Sequence, residues 1–312
     1  MAVFRSIRDD ITYAFRNGNM VTRLVIINFA VFALVNMLHF LLWLVLKGDR
    51  GATNEVFNTA LNWLCMPGDW RLLWHVWAPV TSMFLHEGFW HFLNNIIGLY
   101  LFGTIVSDLI GNRRVLPIYL LGGLVGNALY FLSAQLPQFN VGYYALGASG
   151  AIMALAGTAL VLAPDYRVML FLLGEVKLKY IVLVIVLLDL VGIANQSNTG
   201  GHAAHIGGFL FGCLFVYRLR NGKDMSEGVN NIVDPLKSWF SIRSRRNAPA
   251  RRRRQPVMKA TTFGKPKGNN VSDQANYSFQ ERLDAILDKI KQHGYESLSQ
   301  EEKDFLYQAS KK

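Results

Sequence analysis

Four side chains in this sequence have the types and spacing of hydrolytic chemistry. Ser149 sits in Gly147-Ala148-Ser149-Gly150, His205 follows Ala203-Ala204, and His91 and Asn95 stand four residues apart. A serine hydroxyl is a weak nucleophile until a base within hydrogen-bond reach takes its proton, and His205 is a candidate for that base. His91 and Asn95, at i and i+4, share one helix face. Both donate hydrogen bonds, as does the backbone N–H of Ser149, and such donors suit a developing oxyanion. Each feature also has a blander reading. Gly-x-Ser-Gly in an apolar helix is a packing motif, a lone histidine lines a lumen or fills a core, and His with Asn on one face bonds to a neighbouring helix. Zinc is the rival chemistry, through His86-Glu87-Gly88-Phe89-Trp90-His91 or through His202 and His205. Zinc on a helix needs histidines at i and i+4, whereas His86 and His91 are five apart. His202 and His205, at i and i+3, have no third carboxylate at hand in the sequence. No metal and no cofactor is expected.

These groups must be positioned by apolar elements. The chain has 312 residues, 52% apolar and 17% charged, with a net charge of +11 and a mean hydropathy of +0.22. Soluble domains carry about 25% charged residues, so the composition points to lipid. Cys65 and Cys213, the two cysteines, exclude a disulfide scaffold and a thiolate metal cluster. Uncharged runs cover 24–46, 88–107 and 115–164, and 180–217 has the single charge Asp189. A membrane helix needs about 20 such residues. Turn-rich breaks at 135–147 and 195–201 divide the two longer runs, which predicts six spans, an all-α polytopic membrane protein. The first span reads as an uncleaved signal anchor. Lys and Arg favour the inner side. Arg5 to Arg23, Arg113 and Arg114, Arg167 to Lys179 and the tail fall there if both termini are cytoplasmic, while the outer loops at 135–147 and 195–201 carry none. The long loop 47–87 holds Trp63, Trp70, Trp74 and Trp77 and reads as an amphipathic loop partly sunk in the interface.

Helical rise puts the four groups in one layer. Counted from the inner edge of each span, Ser149 lies about 24 Å up, His205 and Asn95 about 20 Å, and His91 about 26 Å. Small residues on the fourth span (Gly147, Gly150, Ala154, Gly157) and on the sixth (Ala204, Gly208, Gly212) let two helices approach closely. A close crossing there brings His205 to Ser149.

At this point the residues resemble the rhomboid family of intramembrane serine proteases. The resemblance covers about 70–220 and the first span. It rests on Gly147-Ala148-Ser149-Gly150, on Ala204-His205-Ile206-Gly207-Gly208-Phe209-Leu210-Phe211-Gly212, and on His86, His91 and Asn95 as His-x-x-x-x-His-x-x-x-Asn. It implies Ser149 as nucleophile, His205 as general base, and His91, Asn95 and the Ser149 N–H as oxyanion donors. The family uses a dyad, so Asp189 is read as a structural hydrogen-bonding or water-facing group towards the outer end of its span. The implied substrates are single-span membrane proteins, entering between the second and fifth spans and cut near the outer face. A non-catalytic helix-binding relative is the alternative. Three positions depart from the family pattern. Ala78 follows Trp77 where a loop-bracing Arg is usual, Ser107 stands for Glu with Asp108 beside it, and Met153 stands where an aromatic packs on the base.

The expected organisation is a cytoplasmic segment at 1–23, a six-span core at 24–220, a basic flexible linker at 221–276 and a small cytoplasmic helical hairpin at 277–312. Residues 237–267 hold eleven Lys and Arg and no acid. Beside a membrane anchor such a run favours anionic lipid, and no nucleic acid is expected. The hairpin's first helix covers 279–294, and Ser299 with Glu302 predicts a capped start for its second. The cell membrane, plasma or inner, is the expected location.

Overall fold

The computed structural model describes residues 2–139, 141–170, 174–235, 283, 284, 286, 288–290 and 298–309. Contacts divide the chain into two units, 1–248 and 249–312.

In the first unit, α1 (Ala2–Asn17) precedes α2 (Met20–Val45), whose start is capped by Asn19 accepting from the Thr22 N–H at 2.9 Å. The loop after α2 contains α3 (Arg50–Asn62), β1 (Met66–Pro67) and the single turn α4 (Ala78–Thr81). Then come α5 (Phe89–Ile110), α6 (Val115–Ala134), β2 (Tyr144–Ala145), α7 (Ser149–Leu162), β3 (Arg167–Leu170), β4 (Gly174–Lys177), α8 (Leu178–Ala194) and α9 (Thr199–Arg220). Residues 226–235 are again helical.

Among the described residues, four helices are long and apolar enough to cross a membrane: Met20–Val45, Phe89–Ile110, Asn112–Ala134 and Thr199–Arg220. The remaining two apolar segments form shorter helices, 14 residues in α7 and 17 in α8. At 1.5 Å per residue α7 rises about 21 Å, less than a hydrocarbon core of about 30 Å. It is also the most enclosed helix, with Ala154, Leu155, Ala156 and Ala159 fully buried. It packs on α5, α6 and α9. Large apolar side chains such as Phe29, Leu41, Leu183, Leu188 and Leu210 point outward instead. That is the inverse of a soluble bundle and suits a lipid-facing surface.

The charged connections gather at one end. Arg114 pairs with Asp224 at 2.8 Å and Arg113 with Asp234 at 2.7 Å. The guanidinium of Arg220 donates to the Val161 carbonyl at 2.9 Å, and Lys179 and Lys177 pair with Asp165 at 2.8 and 3.2 Å. Together the two lysines hold the Asp165 carboxyl below the usual carboxylate range. The starts of α5, α7 and α9 lie at the opposite end, where β1 pairs antiparallel with β2, Met66 opposite Ala145. Past α9 the chain is still helical at 226–235, with Ser226 and Asn230 buried, within the stretch where the sequence predicts a flexible linker.

In the second unit, helix Gln300–Ala309 starts as its sequence predicts. The Glu302 N–H donates to Ser299 Oγ at 3.3 Å and the Ser299 N–H to Glu302 Oε2 at 2.7 Å, a capping box. Lys289 pairs with Glu302 at 2.8 Å, and residues 288–290 are helical. The basic run at 237–267 and most of the hairpin's first helix lie outside the described residues.

Candidate active site

Ser149 is the first residue of α7. The first N–H groups of a helix have no partner within it, and Ala148 before it offers no side-chain cap. The approach to the serine needs glycine. Gly147 has φ +132°, and a Cβ there would lie 2.9 Å from His91 Nε2. Its N–H donates to the Ser82 carbonyl at 2.9 Å, which ties the loop before α7 to the loop before α5.

His205 reaches the same place from α9 because the two helices cross closely. A side chain on Gly208 would collide with the Gly150 carbonyl, and one on Gly212 with that of Ala154. The result is a cavity of about 550 Å³ whose walls include Ser149, His205, His91, Asn95 and Met153. All four predicted site residues are therefore brought together. No hydrogen bond joins Ser149 to His205 among the described residues. Met153, where the resemblance implies an aromatic, lines the same cavity.

His91 and Asn95 occupy the first two turns of α5. Asn95 is buried, and its Nδ2 donates to the His91 carbonyl at 2.7 Å. One amide proton is thus spent on its own helix and one remains. His86 does not share that helix; it precedes α5, with its ring centroid 5.5 Å from that of His91. Burial, reinforced by His91, lowers the His86 imidazole to about 4 against the pull of the Phe84 backbone.

Asp189 is the residue whose place the sequence missed. Its Oδ1 lies 2.7 Å from His202 Nδ1 and 2.8 Å from His205 Nδ1, and the residue is 3% exposed. The expectation of a hydrogen-bonding group holds, but its partner is the candidate base itself. A carboxylate thus stands beside His202 and His205 as a third group of metal-ligating type, contrary to the sequence reading. The separations are those of hydrogen bonds. Helix geometry explains the meeting. Asp189 is five residues before the end of α8, and His202 and His205 are three and six residues into α9. Across a tight antiparallel turn the acid lies about 7.5 Å from the turn, between histidines at about 4.5 and 9 Å. Gly192 leaves room for the His202 ring, which a Cβ would strike.

The loop that lacks the Trp-Arg pair is braced otherwise. Ala78 is fully buried, so a long charged side chain has no space there. Trp77 Nε1 donates to the Trp63 carbonyl and Thr81 Oγ1 to that of Leu64, each at 2.7 Å. Asn127 Nδ2 donates to the Pro79 carbonyl at 2.7 Å and Tyr119 to that of Met83 at 2.9 Å. Asp108 is exposed on α5.

Comparison with known proteins bears on the same residues. A family model described as the Rhomboid domain matches residues 73–222, and one described as a family of unknown function (DUF6576) matches 273–312. The rhomboid protein YdcA of Bacillus subtilis (strain 168) is 30% identical over 156 residues, 48% of this chain and 70% of its own length. Rhomboid protein 1, mitochondrial, of Saccharomyces cerevisiae is 27% identical over 137 residues, 44% of this chain and 40% of that protein. RHOMBOID-like protein 12, mitochondrial, of Arabidopsis thaliana is 30% identical over 158 residues, 46% of each. The chain spans less than half the length of these two mitochondrial relatives.

Proposed function

The chain belongs to the rhomboid family, and from that premise we propose that it is an intramembrane serine endopeptidase acting through Ser149 and His205. The observation that carries this reading is one cavity holding a serine at an uncapped helix start together with a histidine whose Nδ1 is already engaged. His205 Nε2 takes the Ser149 proton as Oγ attacks a peptide carbonyl. The oxyanion receives hydrogen bonds from the Ser149 N–H, His91 and the second amide proton of Asn95. The C–N bond then breaks and the proton passes from Nε2 to the leaving amine. Water, losing its proton to His205, hydrolyses the acyl-enzyme and restores the serine. A serine and base not yet in contact are usual before substrate binds, since such hydrogen bonds tighten in the complex.

The substrates are transmembrane segments of single-span proteins, unwound near the outer face so that a carbonyl reaches the cavity. Six spans enclose the site, with α7 stopping inside the membrane so that its start stays below the surface. The basic end faces the cytoplasm, both termini with it, in the cell membrane, and the run at 237–267 lies on anionic lipid. Retention of both Ser149 and His205 in one cavity favours catalysis over helix binding alone.

The test is cleavage of a single-span substrate in liposomes. Wild-type protein should release a fragment cut near the outer face, and Ser149→Ala should release none. Equal cleavage by Ser149→Ala, or capture of the substrate without cleavage by wild type, contradicts the proposal.

A further inference from the structure

Asp189 is more deeply buried than either histidine it touches. Its side chain is 4% exposed, against 21% for His202 and 22% for His205. A buried carboxylate needs hydrogen bonds in place of its water, and here Oδ1 has two, while Oδ2 has none among the described residues. Two imidazoles reach the same oxygen through the same ring atom, Nδ1. An ionised carboxylate only accepts, so both Nδ1 atoms carry hydrogen. In neutral imidazole that leaves the lone pair on Nε2. Of the two histidines, His205 lines the cavity with Ser149.

We infer that Asp189 is a positioning residue for the base, giving this chain a Ser149–His205–Asp189 relay in which His202 shares the carboxylate. The inference rests on the Ser149–His205 reading. Asp189 fixes the His205 tautomer and ring plane. When Nε2 takes the Ser149 proton, Nδ1 keeps its own, and the ionised Asp189 stabilises the imidazolium. No proton passes to Asp189. His202 donates to the same oxygen and so divides its charge. Among the described residues, the other titratable groups lining the cavity with His205 are His91 on α5 with Glu87 before it, and the phenols of Tyr130 on α6 and Tyr144 on β2.

The test is the pH–rate profile of substrate cleavage by wild type, Asp189→Asn, Asp189→Glu and His202→Ala, with Ser149→Ala and His205→Ala alongside. Asp189→Asn should lower kcat by about 10²-fold or more, approaching the roughly 10⁴-fold loss of a triad whose acid becomes an amide, with KM little changed. Its acid limb should move to lower pH, because an imidazole beside an amide holds a proton less tightly than one beside a carboxylate. Asp189→Glu should recover part of kcat. His202→Ala should move the acid limb to higher pH, since the whole carboxylate charge then falls on His205. A structural role alone lowers the folded yield and leaves the acid limb in place. In wild type labelled with ¹⁵N-histidine, His205 should show a slowly exchanging, strongly downfield Nδ1–H resonance, a readout that stands if Asp189→Asn fails to fold. Unchanged kcat and acid limb in Asp189→Asn, with Ser149→Ala and His205→Ala inactive, overturns the positioning role alone, as does an Nε2–H tautomer in wild type. Activity surviving in His205→Ala removes the base and the relay with it. Loss of activity on chelation makes the three groups metal ligands and also overturns the relay.

Discussion

Asn95 spends one amide proton on the His91 carbonyl, which holds its side chain against α5 and points to a donor that is fixed before substrate arrives. Asn95→Ala should leave folding intact and lower kcat. Loss of one oxyanion donor costs about 10²–10³-fold in other serine hydrolases, and the loss here should fall at or below the lower figure, because His91 and the Ser149 N–H remain. Single-turnover cleavage at saturating substrate measures it. His86 gives a pH prediction. Buried and lowered from 6.5 to about 4, it stays neutral in the fold while the unfolded chain takes up a proton first. Its contribution is complete above pH 6.5 and is lost as pH falls through 4, up to about 3 kcal/mol by linkage. Melting in detergent between pH 7 and 4 should show this, and His86→Gln should flatten the dependence. At this scale the meeting of Ser149, His205, His91 and Asn95 in one cavity was legible because their types are rare in apolar spans and their depths agree. Asp189 was legible as an oddity only. Its partner depends on the length of the turn after Ala194 and on the rotation of two helices, which no periodicity reports.

The crossing of α7 and α9 is the element on which the site depends. Gly208 faces the Gly150 carbonyl so closely that any side chain must push the helices apart. Gly208→Leu should destabilise the fold by about 1–3 kcal/mol or more and abolish cleavage even in molecules that remain folded, because His205 moves with α9. Thermal melting together with cleavage checks both. The Arg114–Asp224 pair closes the opposite end. Burial pushes the Asp224 carboxyl up, but its bonds with Ser226 and Arg114 prevail and hold it low. Arg114→Ala should cost about 1 kcal/mol or less near neutral pH, as for partly exposed pairs. That loss should vanish as pH falls through the folded Asp224 value, where the carboxylate of wild type is itself discharged. The four long apolar helices could be read from the sequence because lipid permits few charges over a long stretch. The start of α7 could be read as well, since the turn-rich break at 135–147 ends two residues before Ser149; an absence of charge alone does not show that the helix stops short at Leu162. β3 and β4, a hairpin in a charged loop, left no apolar alternation to detect.

Within residues 1–248, the candidate site lies at one end of the helices and the Arg113–Asp234, Arg114–Asp224 and Lys179–Asp165 pairs at the other. The Arg113–Asp234 and Arg114–Asp224 pairs carry the folded core past the end of α9, so a truncation that tests the tail must keep residue 234 and not stop at Arg220. A chain ending at Pro235 should cleave a model substrate in detergent at close to the full rate and bind anionic liposomes less tightly than the full chain. Loss of cleavage in that folded truncation would make the tail part of the enzyme. Activation of Ser149 by His205 is what covalent labelling of the purified protein with a fluorophosphonate reads out. The reagent should modify Ser149 in wild type, and His205→Ala should abolish the modification while the melting profile is preserved. A folded wild-type protein unlabelled at Ser149, or labelling that survives His205→Ala, would contradict it.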